Sequence, residues 1–210
     1  MESIILIGGG GHCVSCIDVV EQTGLYNILG IVDLPEKLGQ KVCNYSVIGQ
    51  DDDIEHLFKK CSNFLITVGQ ITSSKVREKI YQRVTEAGGN MPVIISPLAY
   101  VSKYAKISEG SIIMHHSLIN AGASIGVCCI INTKSLIEHE ADIGDFCHIS
   151  TASVINGQVN IGDRCFIGSN AVITNNINII ANTIIAAGSQ ILKSIDIPGT
   201  YTGHPIRNIH

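Results

Sequence analysis

Residues 125–149 read IGVCCIINTKSLIEHEADIGDFCHI, with isoleucine at 125, 131, 137, 143 and 149. Working outward in both directions, isoleucine fills the same six-residue step without a gap from Ile107 to Ile191. The residue four places after each is small or short almost throughout: Ser111, Ser117, Ala123, Cys129, Ser135, Ala141, Cys147, Ser153, Val159, Cys165, Ala171. A period of six fits neither a helix of 3.6 residues per turn nor an uninterrupted strand of period two. It fits a hexapeptide β-helix, in which each unit is a short strand plus a turn and three units close one coil. Isoleucines 18 residues apart then stack inward as one apolar column, and no coil is stable alone. The span from about 95 to 192 holds roughly five coils.

The composition changes near residue 95, which divides the 210 residues into two units, 1–95 and 96–210. In the first, Ser3 to Ile7 is an apolar strand running into Gly8, Gly9, Gly10, Gly11 and His12, followed by a helical pattern through Val14, Ile17, Val20 and Glu21. Strand, glycine turn and helix is an arrangement that cradles phosphate at a helix N-terminus. Further strands are expected over Asn27–Val32, ending at Asp33, over Asn63–Val68, ending at Gly69, and over Met91–Ile95, with an amphipathic helix over Ser73–Ala87. The alternation predicts a small Rossmann-like parallel sheet with ligands at the carboxyl ends of its strands. Gly8 and Gly10 fit the first two glycines of a dinucleotide fingerprint, but Cys13 stands at the third position, and the unit is too short for two mononucleotide halves. A single nucleotide, such as a nucleotide sugar, fits better than NAD.

A formal net charge of −4 with interspersed signs gives no footprint for nucleic acid or an anionic membrane. Gly110–Thr133 and Cys165–Leu192 lack Asp, Glu, Lys and Arg, yet their regularly spaced His, Asn, Ser and Thr would be exposed to lipid in a helix and turn to solvent in a β-helix. No membrane insertion is expected, and the opening run SIILIGGG lacks the basic flank of a signal peptide. Eight cysteines without an export signal point to a reducing cytoplasm. Cys129, Cys147 and Cys165 should stack as small core residues, and the Cys13/Cys16 pair has no second pair to complete a metal site.

Histidine marks the chemistry. His139 lies two residues past the inward Ile137, flanked by Glu138 and Glu140. A carboxylate beside an imidazole fixes its tautomer and suits a general base. A solvated turn histidine is the competing reading. His139 and His148 are nine residues apart, half a coil, so within one chain they occupy different sides of a prism. If both serve one reaction, they come from adjacent subunits around a threefold axis. A zinc hydro-lyase on the same coil would need clustered histidines, but positions 18 before and after His139 are Ala121 and Gly157.

The GGGGH turn, the stretch from Ile131 to His148, Asn156-Gly157 and Gly203-His204-Pro205 together resemble one family across the whole chain. It is that of the bacterial sugar O-acyltransferases of sialic acid type, and most nearly the nucleotide-activated 4-amino-sugar N-acetyltransferases that prepare bacillosamine, perosamine and viosamine derivatives. The resemblance implies a left-handed β-helix, a homotrimer, and acetyl-CoA bound between neighbouring coils, with no metal. It implies that His139 takes the proton of a sugar amine as the amine attacks the thioester, with Glu140 orienting the ring. His148, Asn132, Gly157 and Ala187 would meet acetyl-CoA, while Gly10, Gly11, His12, Asp33 and Gly69 would meet a UDP- or dTDP-linked 4-amino-4,6-dideoxy sugar. The family usually follows GGH with glycine and a basic residue, where this chain has Cys13 and Val14. A sialic acid O-acetyltransferase with the same two units is the alternative.

Overall fold

A computed structural model of the chain describes residues 1–203 and 206–208. The first unit contains β1 (Glu2–Ile7), α1 (Gly11–Thr23), β2 (Tyr26–Val32), β3 (Lys41–Val42), β4 (Tyr45–Gly49), α2 (Ile54–Phe58), β5 (Phe64–Ile66) and α3 (Lys75–Glu86). The sheet order is β3-β4-β2-β1-β5. Four strands are parallel, and β3 is antiparallel to β4 across a tight turn at Cys43 and Asn44, so the sheet is mixed rather than wholly parallel. The hairpin escapes sequence reading because its turn residue in the left-handed region is Cys43, φ 52°, rather than glycine. The apolar residues of β1 are buried on both faces, as expected of a parallel sheet covered on either side.

Ile94–Ile95 was expected to close this sheet. Instead it pairs with Ile112–Ile113 and forms the first strand of the coils. An apolar run declares that a strand is buried but not which strand it joins.

From there the chain winds as a left-handed parallel β-helix of two-residue strands in three ladders. One ladder runs through Ile94–Ile95, Ile112–Ile113, Ile130–Ile131, His148–Ile149, Phe166–Ile167 and Ile184–Ile185; we call it the domain face. The second, the apolar face, turns Leu118, Leu136, Val154 and Val172 outward. The third, the polar face, turns out Lys106, Ser124, Asp142, Asn160 and Asn178. From Ile107 to Ile191 each inward isoleucine is in register with the isoleucine 18 residues away, and Ile113 through Ile191 form one buried core with Cys129, Cys147 and Cys165 inside it. Each corner from Gly110 to Gly188 places one residue in the left-handed region, in steps of six, with glycine at 110, 122 and 188 and non-glycine residues such as His116 at φ 59° and Asn182 at φ 61° at the others. These corners are what allow a chain to turn after only two strand residues.

The first unit sits on the domain face. Cys13, Cys16 and Ile17 of α1 share a core with the outward side chains Ile94, Ile112 and Ile130, so burial continues from one unit into the other. Val14 faces outward instead, and Cys16 occupies the inner stripe. Polar ties run alongside: His115 bonds Asp18 at 2.7 Å through Nε2 and Ser96 at 2.6 Å through Nδ1. Among the described residues no helix is long and apolar enough to cross a membrane.

Candidate active site

The corner between the apolar and polar faces carries Glu138, His139 and Glu140. Glu140 holds φ at 57°, but so does its counterpart in almost every corner, so that conformation belongs to the coil and not to the chemistry. The two glutamates point differently. Glu138 accepts hydrogen bonds from the Asn120 side-chain amide at 2.8 Å and from the His139 backbone N–H at 3.2 Å. Glu140 lies against the imidazole, its Oε2 at 3.4 Å from Nδ1, and also accepts from Gln158 at 2.9 Å. A carboxylate can only accept, so Nδ1 carries the proton and Nε2 keeps its lone pair. The His139 side chain is 54% exposed.

One coil further on lies Gly157. A Cβ there would stand 2.6 Å from both Cε1 and Nε2 of His139, so the ring rests on a backbone that has room only because position 157 lacks a side chain.

On the domain face, His148 is 8% exposed beneath the first unit. Its Nδ1 lies 2.7 Å from the Gln70 carbonyl and its Nε2 lies 3.2 Å from the side-chain amide of Asn132, one coil back. Phe166 meets its ring edge-on at 5.2 Å, and His12 lies 6.2 Å away between ring centroids. Burial pushes the His148 imidazole down to about 4, and the nearby Arg77 guanidinium acts in the same direction. Burial, then His148, then Arg77 bring His12 to about 4 as well, and its buried Nε2 has no hydrogen-bond partner among the described residues.

The glycine turn opens beside His12. Gly8, at φ 106°, packs where a side chain would strike Val68, whereas Cβ atoms at Gly10 and Gly11 would meet nothing within 4 Å. Gly10 caps α1 with no side-chain hydrogen bond, leaving the first N–H groups of the helix open to an anion. Gly69, after β5, lies close to the His12 Cβ. Asp33 is already engaged: its carboxylate accepts from the Gly9 N–H at 2.9 Å and from Lys37 Nζ at 2.9 Å. Burial opposes its ionisation, but Lys37 and the backbone N–H groups of Leu34 and Gly9 outweigh that and hold the carboxyl below the usual range. It clamps the turn from beneath.

The structure thus gathers His139, Glu140 and Gly157 at one corner, and gathers Asn132, His148, His12 and Gly69 at the junction of the two units. Within one chain it does not bring these groups together. Ala187 stands apart at the corner after Ile184–Ile185, exposed, its backbone packed where a side chain at Gly168 would go. Among the described residues no three His, Cys, Asp or Glu groups converge in a way that could hold a metal ion. His204 and Pro205 lie outside the described residues. Sequence reading missed Gln70 and the wholly buried Arg77; their only hint was the neighbouring Gly69.

Residues 3–84 match the PglD N-terminal domain, and residues 140–175 match the bacterial transferase hexapeptide (six repeats). Both matches, and the solved structures that follow, point to the nucleotide-activated 4-amino-sugar N-acetyltransferases. A variant of GDP-perosamine N-acetyltransferase from Caulobacter crescentus, solved with CoA and GDP-perosamine, is 27% identical over 100% of this chain and 98% of that one, with a TM-score of 0.94. The acetyltransferase domain of PglB from Neisseria gonorrhoeae FA1090, in complex with acetyl coenzyme A, is 26% identical over 99% of both chains, with a TM-score of 0.90. WeeI from Acinetobacter baumannii AYE, at 22% identity over 100% of both chains and a TM-score of 0.88, shares the fold with this acetyltransferase.

Proposed function

We propose that the enzyme moves acetyl from acetyl-CoA to the 4-amino group of a nucleotide-linked 4-amino-4,6-dideoxy sugar, with His139 as general base. The observation that carries this reading is the His139 ring, exposed, oriented by Glu140 and seated on Gly157, with the Nε2 lone pair free. As the sugar amine attacks the thioester carbonyl carbon, its nitrogen becomes positive and must lose a proton. Nε2 accepts that proton, the tetrahedral intermediate collapses, the C–S bond breaks, and the departing thiolate takes up the proton held by the imidazolium, so that the coenzyme leaves as thiol and His139 is again neutral. Asn132 and His148 form the acyl side, and the Gly157 backbone and the small, exposed Ala187 leave room for the coenzyme arm along the coils. Gly10, Gly11, His12, Asp33 and Gly69 form the nucleotide-sugar side.

A homotrimer completes the site. The outward Leu118, Leu136, Val154 and Val172 make one face of an isolated chain apolar, and covering it by a threefold neighbour would bring the His139 corner of one subunit towards the His148 junction of the next. The cysteines are all unpaired, which fits a cytoplasmic enzyme.

The C. crescentus relative was solved with a GDP-linked sugar, beyond the UDP- and dTDP-linked sugars that the family resemblance implies. A panel of UDP-, dTDP- and GDP-linked 4-amino sugars, assayed with acetyl-CoA by release of free thiol, tests the reading. Turnover with an amine acceptor and an acetamido product supports it. Acetylation only of hydroxyl acceptors such as sialic acids would replace it with the O-acetyltransferase alternative.

A further inference from the structure

The loop after β5 grips the coils at two points through one residue. The Gln70 side-chain amide donates to the Phe146 carbonyl at 2.8 Å, and the Gln70 backbone carbonyl stands 2.7 Å from Nδ1 of His148, two residues further along the coil. Gln70 is only 4% exposed. Its Oε1 is buried with no partner among the described residues. An apolar side chain would avoid that orphaned acceptor, so the position makes sense only if the donor half of the amide is needed.

The directions of these bonds fix the protons. A carbonyl oxygen only accepts, so His148 Nδ1 carries a hydrogen and Nε2 is left with its lone pair. Asn132 points to the same arrangement from the other end. Its Oδ1 accepts from the Thr133 N–H at 2.8 Å, which sets the amide so that Nδ2 faces Nε2 and donates to it at 3.2 Å. The chain of bonds runs from Thr133 through Asn132 and His148 to Gln70 without conflict. Burial, with Arg77 beside it, keeps the ring neutral. His148 therefore has no proton left to offer a coenzyme oxygen, while Asn132 retains a second Nδ2–H with no partner among the described residues.

We propose that Gln70 is a positioning residue: it fixes the tautomer and orientation of His148, which in turn aims the free N–H of Asn132 at a carbonyl oxygen of the acetyl-CoA arm. The effect on turnover rests on the acetyl-transfer reading; the clamp and the tautomer do not. Gln70 adjoins Gly69, so the loop that borders the nucleotide-sugar side also sets the donor on the acyl side.

The test is a proton-nitrogen correlation spectrum of the full-length protein with ¹⁵N-labelled histidine rings, His148 being assigned by difference from His148→Gln. In the unsubstituted protein at neutral pH, Nδ1 should read as protonated and Nε2 as unprotonated. Gln70→Met keeps the volume and removes the amide. It should give mixed tautomers at His148 and lower kcat by roughly 10- to 100-fold, the usual cost of a small misplacement, with KM for the nucleotide sugar nearly unchanged. An Nε2-protonated ring in the unsubstituted protein overturns the proposal whether or not any variant folds. So does a Gln70→Met enzyme with an unaltered tautomer, or with an altered tautomer and undiminished kcat. If no amino sugar is acetylated at all, the tautomer still decides the clamp, and the acetyl-transfer reading fails separately.

Discussion

The imidazole of His139 lies across Gly157, close enough that a Cβ there would stand 2.6 Å from both Cε1 and Nε2. Glycine at this position serves the ring rather than the turn, since the left-handed residue of that corner is Gln158. Gly157→Ala should therefore leave the coils intact and push the ring off Glu140. A fall in kcat of roughly 10- to 100-fold with little change in melting temperature is expected, because a displacement of about an ångström at a reacting group costs that much. Steady-state kinetics beside a thermal melt checks it, and an alanine variant of full activity would detach the ring's placement from catalysis.

His139→Ala should lose about 10² to 10⁴ in kcat, the worth of a positioned proton acceptor. His148→Ala should damage the acyl side. Since the two histidines occupy different sides of one chain, co-expression of the two variants should rebuild some sites that contain both. Activity above either parent, in mixed trimers verified by mass, is the expected result. No recovery would mean that both histidines serve one subunit, or that one of them is idle.

The buried histidines should weaken the fold in acid. Burial comes first among the causes that hold His12 and His148 at about 4, below 6.5 for a free histidine. Between those values the unfolded chain takes up protons that the folded chain refuses. Stability from this source is whole above about 6.5 and drains away as pH falls towards 4. Denaturant midpoints measured across that window should decline more steeply in the native sequence than in His148→Gln. Parallel slopes would mean that His148 is not held neutral by burial.

Asp33→Ala removes the acceptor for the Gly9 N–H and the partner of Lys37. The glycine turn should loosen, raising KM for the nucleotide sugar while KM for acetyl-CoA stays nearly constant. Equal rises in both would shift the nucleotide site elsewhere.

What could be read in advance followed from periodicity and adjacency. Isoleucine at one phase of six dictated the coils because inward positions repeat rigidly from rung to rung, and His139 with Glu140 stood out because the partners are neighbours in the chain. The Gln70 clamp was invisible because its bond to Phe146 spans 76 residues and neither end has a distinctive neighbourhood. Ile94–Ile95 joined the coils instead of the first sheet because an isoleucine pair satisfies either. Of the two glutamates beside His139, the family resemblance singles out Glu140 in advance, but spacing alone does not; in the structure Glu140 lies on the ring while Glu138 turns towards Asn120.

The coil register has an evolutionary corollary. Since each rung stacks on its equivalent 18 residues away, a single-residue deletion between Ile125 and Ile149 would reverse inside and outside for everything downstream. A whole extra coil would preserve the core yet slide the His139 corner about 4.8 Å along the prism, away from the unit docked at His148. Homologues should therefore tolerate substitution on the outer faces while allowing almost no change of length between these two histidines; the lineage can lengthen this prism only beyond Gly157.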